Sequence, residues 1–223
     1  MTVICVCAPF EWSLNGLTEY AESAGVFNTF GVAERDRILR ISSPRSRELS
    51  LGGLIALKAL TDKFVAEEKG LEISRTGKGK PYFSGNNNFK FNISHSGELS
   101  VAALVTEGGQ DVGVDIEAVD ANRDFRKLAE RFFNAEEREY LISCSYDKFA
   151  FYKLWTAKEA RVKYCGEGLS SIIVSHGEPY EELFLTRFGV RYGGRDHIMT
   201  VCLPTFDEVV VAEPLGDIEI YRV

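Results

Sequence analysis

The feature that most restricts how this chain can fold is the stretch that begins at Phe151, FYKLWTAKEARVKYC, and closes on Gly166. No Pro or Gly interrupts it, Asp147 or Ser145 can serve as an N-cap, and Gly166 stands where a left-handed residue ends a helix. One long helix is expected. On it Trp155, Glu159 and Lys163 recur every four residues, so an indole, a carboxylate and an ammonium stack on one face. Alone, that pattern reads first as an exposed ion pair beside a core Trp.

A second acidic stretch changes the weighing. Residues 112–117, VGVDIE, read as a strand with Val112, Val114 and Ile116 on one face and Asp115 and Glu117 on the other. Two like carboxylates on one face repel unless something positive lies near them. They either face water or hold a hard cation such as Mg²⁺ or Mn²⁺, which prefers oxygen ligands and commonly shares them with substrate phosphates.

The rest of the chain supplies other polar candidates. Residues 2–8 form a buried strand, and a loop region leads to a charged helix over 34–40. A longer helix is expected over 45–69, ended by Gly70, with Arg45 and Arg47 at its start, where cations oppose the helix dipole unless an anion joins them. Residues 76–83, TGKGKPYF, present Lys78 and Lys80 on a constrained turn with the exit set by Pro81, in a spacing that is not a Walker loop. Phe89, Phe91 and Ile93 alternate in a half-buried strand that ends in Ser94-His95-Ser96-Gly97, donors suited to phosphate oxygens, and 100–105 returns as its hairpin partner. Helices are expected over 122–133 and from the capping-box-like Asn134–Glu137 segment to about 142, and strands over 183–188, 197–203, 209–212 and 218–223. His176 and His197 have no nearby ligand partners and read as structural or exposed.

Two loosely similar halves, 1–112 and 113–223, each with a long helix and a hairpin, make an antiparallel α+β duplication the expected architecture, with Asp115 and Glu117 at the junction. Twenty-six basic residues against thirty-three acidic ones, a formal charge of −7, argue against a nucleic-acid or membrane partner. Five cysteines without a CxxC pair favour neither a disulfide framework nor a thiolate zinc site, and with no signal core or spanning segment a cytoplasmic protein is expected.

Lys80-Pro81, FNISHS at 91–96, VGVDIE at 112–117, RFF at 131–133 with Glu136 and Glu137, and WTAKEA at 155–160 with Lys163 and GEGL at 166–169 together form a pattern. In their order and spacing the sequence resembles the 4′-phosphopantetheinyl transferase superfamily, specifically its larger, Sfp-like, monomeric branch. The resemblance implies a pseudo-twofold α+β fold with coenzyme A and Mg²⁺ bound between the halves. It also implies transfer of the phosphopantetheine arm to a serine of an apo carrier protein, leaving adenosine 3′,5′-bisphosphate. Carried over by residue, Asp115, Glu117 and Glu159 resemble the metal carboxylates, and Lys163 the lysine that contacts the pyrophosphate and assists the leaving group. Ser94 and His95 resemble phosphate-binding residues, and Lys80 with Pro81 the segment beside the adenosine. Arg47, or Arg45, matches a basic position that meets the 3′-phosphate, and Lys158 is the motif's other lysine. Glu159 is expected to accept the serine proton, directly or through a metal-bound water. The carrier is expected on the surface of residues 120–150. A non-catalytic module that binds coenzyme A or a carrier, and a carboxylate-metal hydrolase acting on nucleotides, are the alternatives.

Overall fold

Alternation of β-branched and small apolar residues builds two four-stranded sheets, and long helices with one apolar face cover them. The computed structural model describes residues 1–9, 13–167 and 183–223. The chain opens with strand β1 (Thr2–Cys7), then helices α1 (Leu14–Ser23), α2 (Val26–Phe30), α3 (Val32–Leu39) and α4 (Pro44–Phe64). Strands β2 (Ile73–Arg75), β3 (Pro81–Phe83), β4 (Lys90–Ser96), β5 (Leu99–Val105) and β6 (Gly113–Ala118) follow. Next come helices α5 (Phe125–Phe132), α6 (Ala135–Ser143) and α7 (Lys148–Cys165), and then β7 (Phe184–Tyr192), β8 (Arg195–Leu203), β9 (Val209–Val211) and β10 (Glu219–Arg222). The expected α+β class holds. His176, Gly168 and Leu169 lie outside the described residues.

The first sheet has the order β4-β5-β1-β9 and the second β10-β7-β8-β6, with β2 and β3 as a separate pair. Helix α4 packs on β5 and β1, and α7 on β6 and β8. Three cores fill the layers among the described residues. One lies beneath α4 with Leu54, Leu57, Phe83 and Phe91; one lies between the sheets, where Ile4, Val101 and Ala103 meet Val114, Ile116 and Val201; one lies among α5, α6 and α7 around Phe133, Phe151 and Tyr152. The layers therefore run helix, sheet, sheet, helix. The chain passes from one sheet to the other near residue 112, but β9 returns to pair in parallel with β1, so the 113–223 segment also contributes to the first sheet.

Local chemistry explains the element ends. Asp147 caps α7 by accepting from the Ala150 N–H, and Gly166 ends the helix at φ 68°, where only glycine is unstrained. Asn134 and Glu137 form the reciprocal capping box expected of α6. Helix α4 departs from expectation, stopping at Phe64 because Val65 leaves helical geometry to bury its side chain in the core. Gly70 instead serves a close crossing, at φ 75°, where an added Cβ would lie 2.6 Å from the Gly85 carbonyl oxygen. The loop region expected before residue 34 contains α1 and α2, whose ends are set by Gly25 and Gly31 at positive φ. The helix expected over 122–133 begins at Phe125, because Asp124 takes the N-cap and accepts from the Lys127 N–H.

Candidate active site

The two sheets meet at a seam where the edge of β4 faces the edge of β6. Backbone hydrogen bonds do not close it; β4 side chains do. Asn92 Oδ1 accepts from the Val114 N–H at 3.0 Å, and Ser96 Oγ accepts from the Ala118 N–H at 3.1 Å. Between these rungs Ser94 Oγ donates to Asp115 Oδ1 at 2.8 Å, and Ser96 Oγ donates to Glu117 Oε2 at 2.7 Å. Asn92 and Ser94 are buried, so each polar atom here must be paired or suffer desolvation.

Helix α7 packs on β6 and β8 beside this seam, and its Lys163 side chain reaches across to β4. It can come close because β6 begins with Gly113, where any Cβ would overlap the Ala160 carbonyl oxygen and sit 2.6 Å from the Tyr164 nitrogen. Thr156 and Thr200 join hydroxyls at 2.7 Å between α7 and β8, which sets the helix's rotation. That rotation delivers Glu159 and Lys163 to β6. Carboxylate oxygens of Asp115, Glu117 and Glu159 all lie within 4.8 Å of one another. Lys163 Nζ donates to Asp115 Oδ1 at 2.6 Å and to Ser94 Oγ at 2.7 Å, so its ion pair crosses to β6 instead of staying on its own helix. Trp155, one turn before Glu159, stacks on Phe151 and meets Phe132 and Phe133 edge-on.

Three carboxylates against one ammonium leave an electrostatic deficit. Burial, then the Asp115 charge, push Glu159 up to about 8, with Lys163 opposing. Glu117 is raised by burial and by Asp115. Asp115 Oδ2 is buried and has no hydrogen-bond partner. A hard dication taking that oxygen and one from each glutamate would satisfy the orphan and relieve the repulsion, so the donor set fits Mg²⁺ or Mn²⁺. His95 keeps an open face on the adjoining cavity, yet burial of its surroundings and the Lys163 charge hold its pKa below the ordinary value, favouring the neutral ring.

A cavity of about 310 Å³ adjoins this cluster through Lys163, reaching from Lys163 and His95 to Lys80, Lys78, Arg75 and Arg37. Five cations, Arg37, Arg75, Lys78, Lys80 and Lys163, against the acids Glu34 and Glu167 make its lining net positive and suited to an anion. A further space of about 580 Å³ lies beyond Lys80 and Pro81, walled by Tyr82 and Tyr164.

Two comparisons bear on this arrangement. A family model described as "4'-phosphopantetheinyl transferase superfamily" matches residues 111–202, and one described as "4'-phosphopantetheinyl transferase, N-terminal" matches 19–107. The chain belongs to the 4′-phosphopantetheinyl transferase superfamily. Its similarity extends to the L-aminoadipate-semialdehyde dehydrogenase-phosphopantetheinyl transferase of Xenopus laevis, 32% identical over 150 residues, 61% of this chain and 49% of that protein. It is 32% identical over 146 residues to the 4′-phosphopantetheinyl transferase psf-1 of Bacillus pumilus, covering 65% and 59% of the two chains. To the 4′-phosphopantetheinyl transferase Sfp of Bacillus subtilis it is 28% identical over 152 residues, covering 61% and 66%. The chain therefore spans about half to two thirds of the length of these relatives.

Within this superfamily member the residues expected at the site do not all converge. Asp115, Glu117, Glu159, Lys163, Ser94 and His95 meet at the seam. Lys80 and Pro81 line both spaces, but Lys80 Nζ is already engaged, donating to the Tyr164 carbonyl at 2.6 Å and to Asp111 at 2.9 Å, which ties the end of α7 to β3. Arg47 is a correction: it folds back so that Nε and Nη2 donate to the Ile41 carbonyl at 3.1 and 2.7 Å, and it does not line the cavity. Lys158 is another, because a step of one residue turns it about 100° from Glu159. It reaches α6 instead, pairing with Glu137 at 2.8 Å over the Phe133 ring. Arg45 donates to the Gly97 carbonyl. The basic residues that the sequence reading missed are Arg37 and Arg75. The one local signal was the i, i+3 spacing of Glu34 and Arg37. His197 is fully buried, which agrees with the structural reading. Among the described residues no helix is long and apolar enough to cross a membrane.

Proposed function

We propose that this chain transfers the 4′-phosphopantetheine arm of coenzyme A to a serine hydroxyl of an apo carrier protein, releasing adenosine 3′,5′-bisphosphate. The observation that carries the reading is the convergence of Asp115, Glu117 and Glu159, with an orphaned Asp115 oxygen, beside Lys163, which pairs with Asp115 and also lines a cavity rich in cations. Asp115, Glu117 and Glu159 would hold Mg²⁺, which when bound neutralises charge on a diphosphate.

The chain's own groups supply the rest. Lys163 faces the leaving side, where its ammonium stabilises charge that builds on the departing phosphate. Ser94 and Asp115 hold that ammonium in place, so little reorganisation accompanies the transfer. Neutral His95 donates a hydrogen bond to a phosphate oxygen without adding another charge beside Lys163. Glu159, which a bound cation would keep ionised, accepts the serine proton as the new bond from serine oxygen to phosphorus forms and the old bond to the bridging oxygen breaks. Lys80, fixed by Asp111 and Tyr164, closes the floor beside the adenosine.

The acceptor surface fits α5, which exposes Arg126, Lys127 and Arg131 against the single acid Glu130, with the exposed Tyr140 and Ile142 of α6 beside it; the exposed Glu136 and Glu139 of α6 confine the basic part to α5. The test is mass spectrometry of an apo carrier incubated with the protein, coenzyme A and Mg²⁺. The expected result is a carrier heavier by one phosphopantetheine arm and free adenosine 3′,5′-bisphosphate. Binding of coenzyme A with no mass gain on a panel of carriers would favour the non-catalytic alternative, and release of phosphate or free phosphopantetheine without an acceptor the hydrolase.

A further inference from the structure

Several guanidiniums in this chain have an acid to hold them. Arg35 meets Glu22 at 3.1 Å, Arg191 meets Asp196 at 2.9 Å, and Arg37 and Arg75 share the buried Glu34 at 2.8 and 2.9 Å. Two others differ. Arg161 of α7 and Arg187 of β7 are only part exposed, and the Nε of each is buried with no hydrogen-bond partner. Among the described residues no carboxylate pairs with either.

The strand register brings this pair together. Arg187 stands opposite Thr200 on β8, and Thr200 stands opposite Asp115 on β6, so the three side chains share the sheet face on which α7 lies. Thr156 of α7 joins Thr200 at 2.7 Å, which fixes the helix over the middle of that row. A step of two residues turns a helix by about 200°, so with Glu159 directed to Asp115, Arg161 leaves the opposite flank, the one toward β7. Burial, then the Arg161 charge, hold the Arg187 pKa below the ordinary value, the sign of two cations in one another's field. Tyr140 of α6, which also acts on Arg187, brings a hydroxyl and not a carboxylate.

Such a pair is costly when unanswered. A buried donor without an acceptor is destabilising, more so when charged, and like charges add repulsion. One oxyanion between the two forks removes both penalties. Each guanidinium offers parallel N–H donors, and a phosphoryl group brings about two negative charges with three acceptor oxygens, whereas a carboxylate answers half the charge. We propose that Arg161 and Arg187 form a binding site for the dianionic phosphoryl group of a small phosphate, on the flank of α7 away from the carboxylate cluster. The site is separate from the cation-lined cavity, since neither arginine lines it. Occupancy ties α7 to β7 and so steadies the helix that carries Glu159 and Lys163.

Thermal unfolding with inorganic phosphate as the probe reads the site without coenzyme A, metal or acceptor, so its outcome is independent of the transferase reading. In low-salt buffer without phosphate, Arg161→Met, which keeps the aliphatic bulk and removes the charge, should show a higher Tm than the unmodified chain. Phosphate at about ten times its dissociation constant, set by calorimetry, should raise the Tm of the unmodified chain by about 4 °C more than that of Arg161→Met. Arg187→Met should behave as Arg161→Met does, and it serves should the first variant fail to fold. Arg75→Met, which depletes the cavity instead, should keep the full response. Acetate at the same concentration should give less than half the phosphate shift. A lower Tm of both arginine variants without phosphate would show that the chain answers these charges itself and would overturn the proposal. So would a phosphate shift as large in both variants as in the unmodified chain, which assigns the binding to the cavity alone, or an acetate shift equal to that of phosphate.

Discussion

Helices α4 and α7 hold equivalent positions, each lying on the outer face of a four-stranded sheet, and they use that position differently. The buried surface of α4 is formed by Leu49, Leu51, Leu54, Ile55, Leu57 and Leu60 with Gly52 and Gly53, and it meets Pro9 and Ile93. The buried surface of α7 includes Thr156 and Glu159 beside Ala157 and Ala160, with Lys163 at its end. One helix uses its contact face for apolar burial; the other trades part of that burial for a carboxylate and an ammonium that its sheet must satisfy. The glycines sit accordingly. In the first layer they are on the helix and their space is filled by side chains; in the second the glycine is on the strand and its space is filled by helix backbone. A fold of this shape can carry chemistry on one side because the other supplies packing without polar cost.

That contrast can be broken most severely at Glu159. Glu159→Gln should lower transfer by at least about a thousandfold, as expected when a group acting on the reacting atoms is removed. Binding of coenzyme A in calorimetry should fall by less than about tenfold. Unchanged turnover would remove Glu159 from the chemistry. The next largest effect belongs to Gly113→Ala, where the new methyl meets backbone that cannot give. A loss of about 3 kcal/mol in urea unfolding is expected, with transfer falling because α7 moves off β6 and carries Glu159 and Lys163 from Asp115. Gly53→Ala is its counterpart on α4, where the methyl would approach Ile93 Cγ2 at 2.5 Å. A side chain can shift and alanine favours helix, so a loss of about 1 kcal/mol with unchanged kcat is expected.

The polar helix should also respond to pH where the apolar one does not. Glu159, near 8 in the folded chain against an ordinary 4.5, keeps its proton longer than it would unfolded, and Glu117 is raised in the same direction. The folded state then binds more protons than the unfolded one, so stability is fully present below about 4.5 and declines as pH rises through the folded value. In the metal-free protein the slope between pH 5 and 8.5 should flatten in Glu159→Gln by on the order of 2 kcal/mol across the window. Mg²⁺ should reverse the slope by binding the ionised carboxylates, and chemical unfolding at several pH values checks both. The smallest effect expected is that of Lys158→Met, which removes the partner of Glu137. It should cost about 1 kcal/mol and leave KM for coenzyme A unaltered, as suits a side chain facing α6.

What could be read from the sequence was what local chemistry decides. Asp147 and Gly166 bound α7 because a cap and a left-handed glycine are both specific signals, and the alternation in residues 112–117 put Asp115 and Glu117 on one face before any neighbour was known. The turn at Val65 was hidden because nothing local outweighed helix continuation; burial of the Val65 side chain decided it. Helices α1 and α2 were obscured by Gly16, Gly25 and Gly31, which read as loop although two of them form helix ends. Arg37 and Arg75 are thirty-eight positions apart and converge only through a buried acid, a contact that no spacing reveals. Lys158 was legible in principle, since helical rotation alone separates it from the face of Glu159 and Lys163.

The central claim is that three acids from a strand and a helix grip one hard cation at the seam between the sheets. Electron paramagnetic resonance of Mn²⁺ titrated into the metal-free protein reads this most directly, because bound Mn²⁺ leaves the sharp aqueous signal. One Mn²⁺ per chain is expected, competed by Mg²⁺ and abolished in Asp115→Asn. Mn²⁺ that remains free, or that binds Asp115→Asn as tightly as the unmodified chain, would contradict the claim.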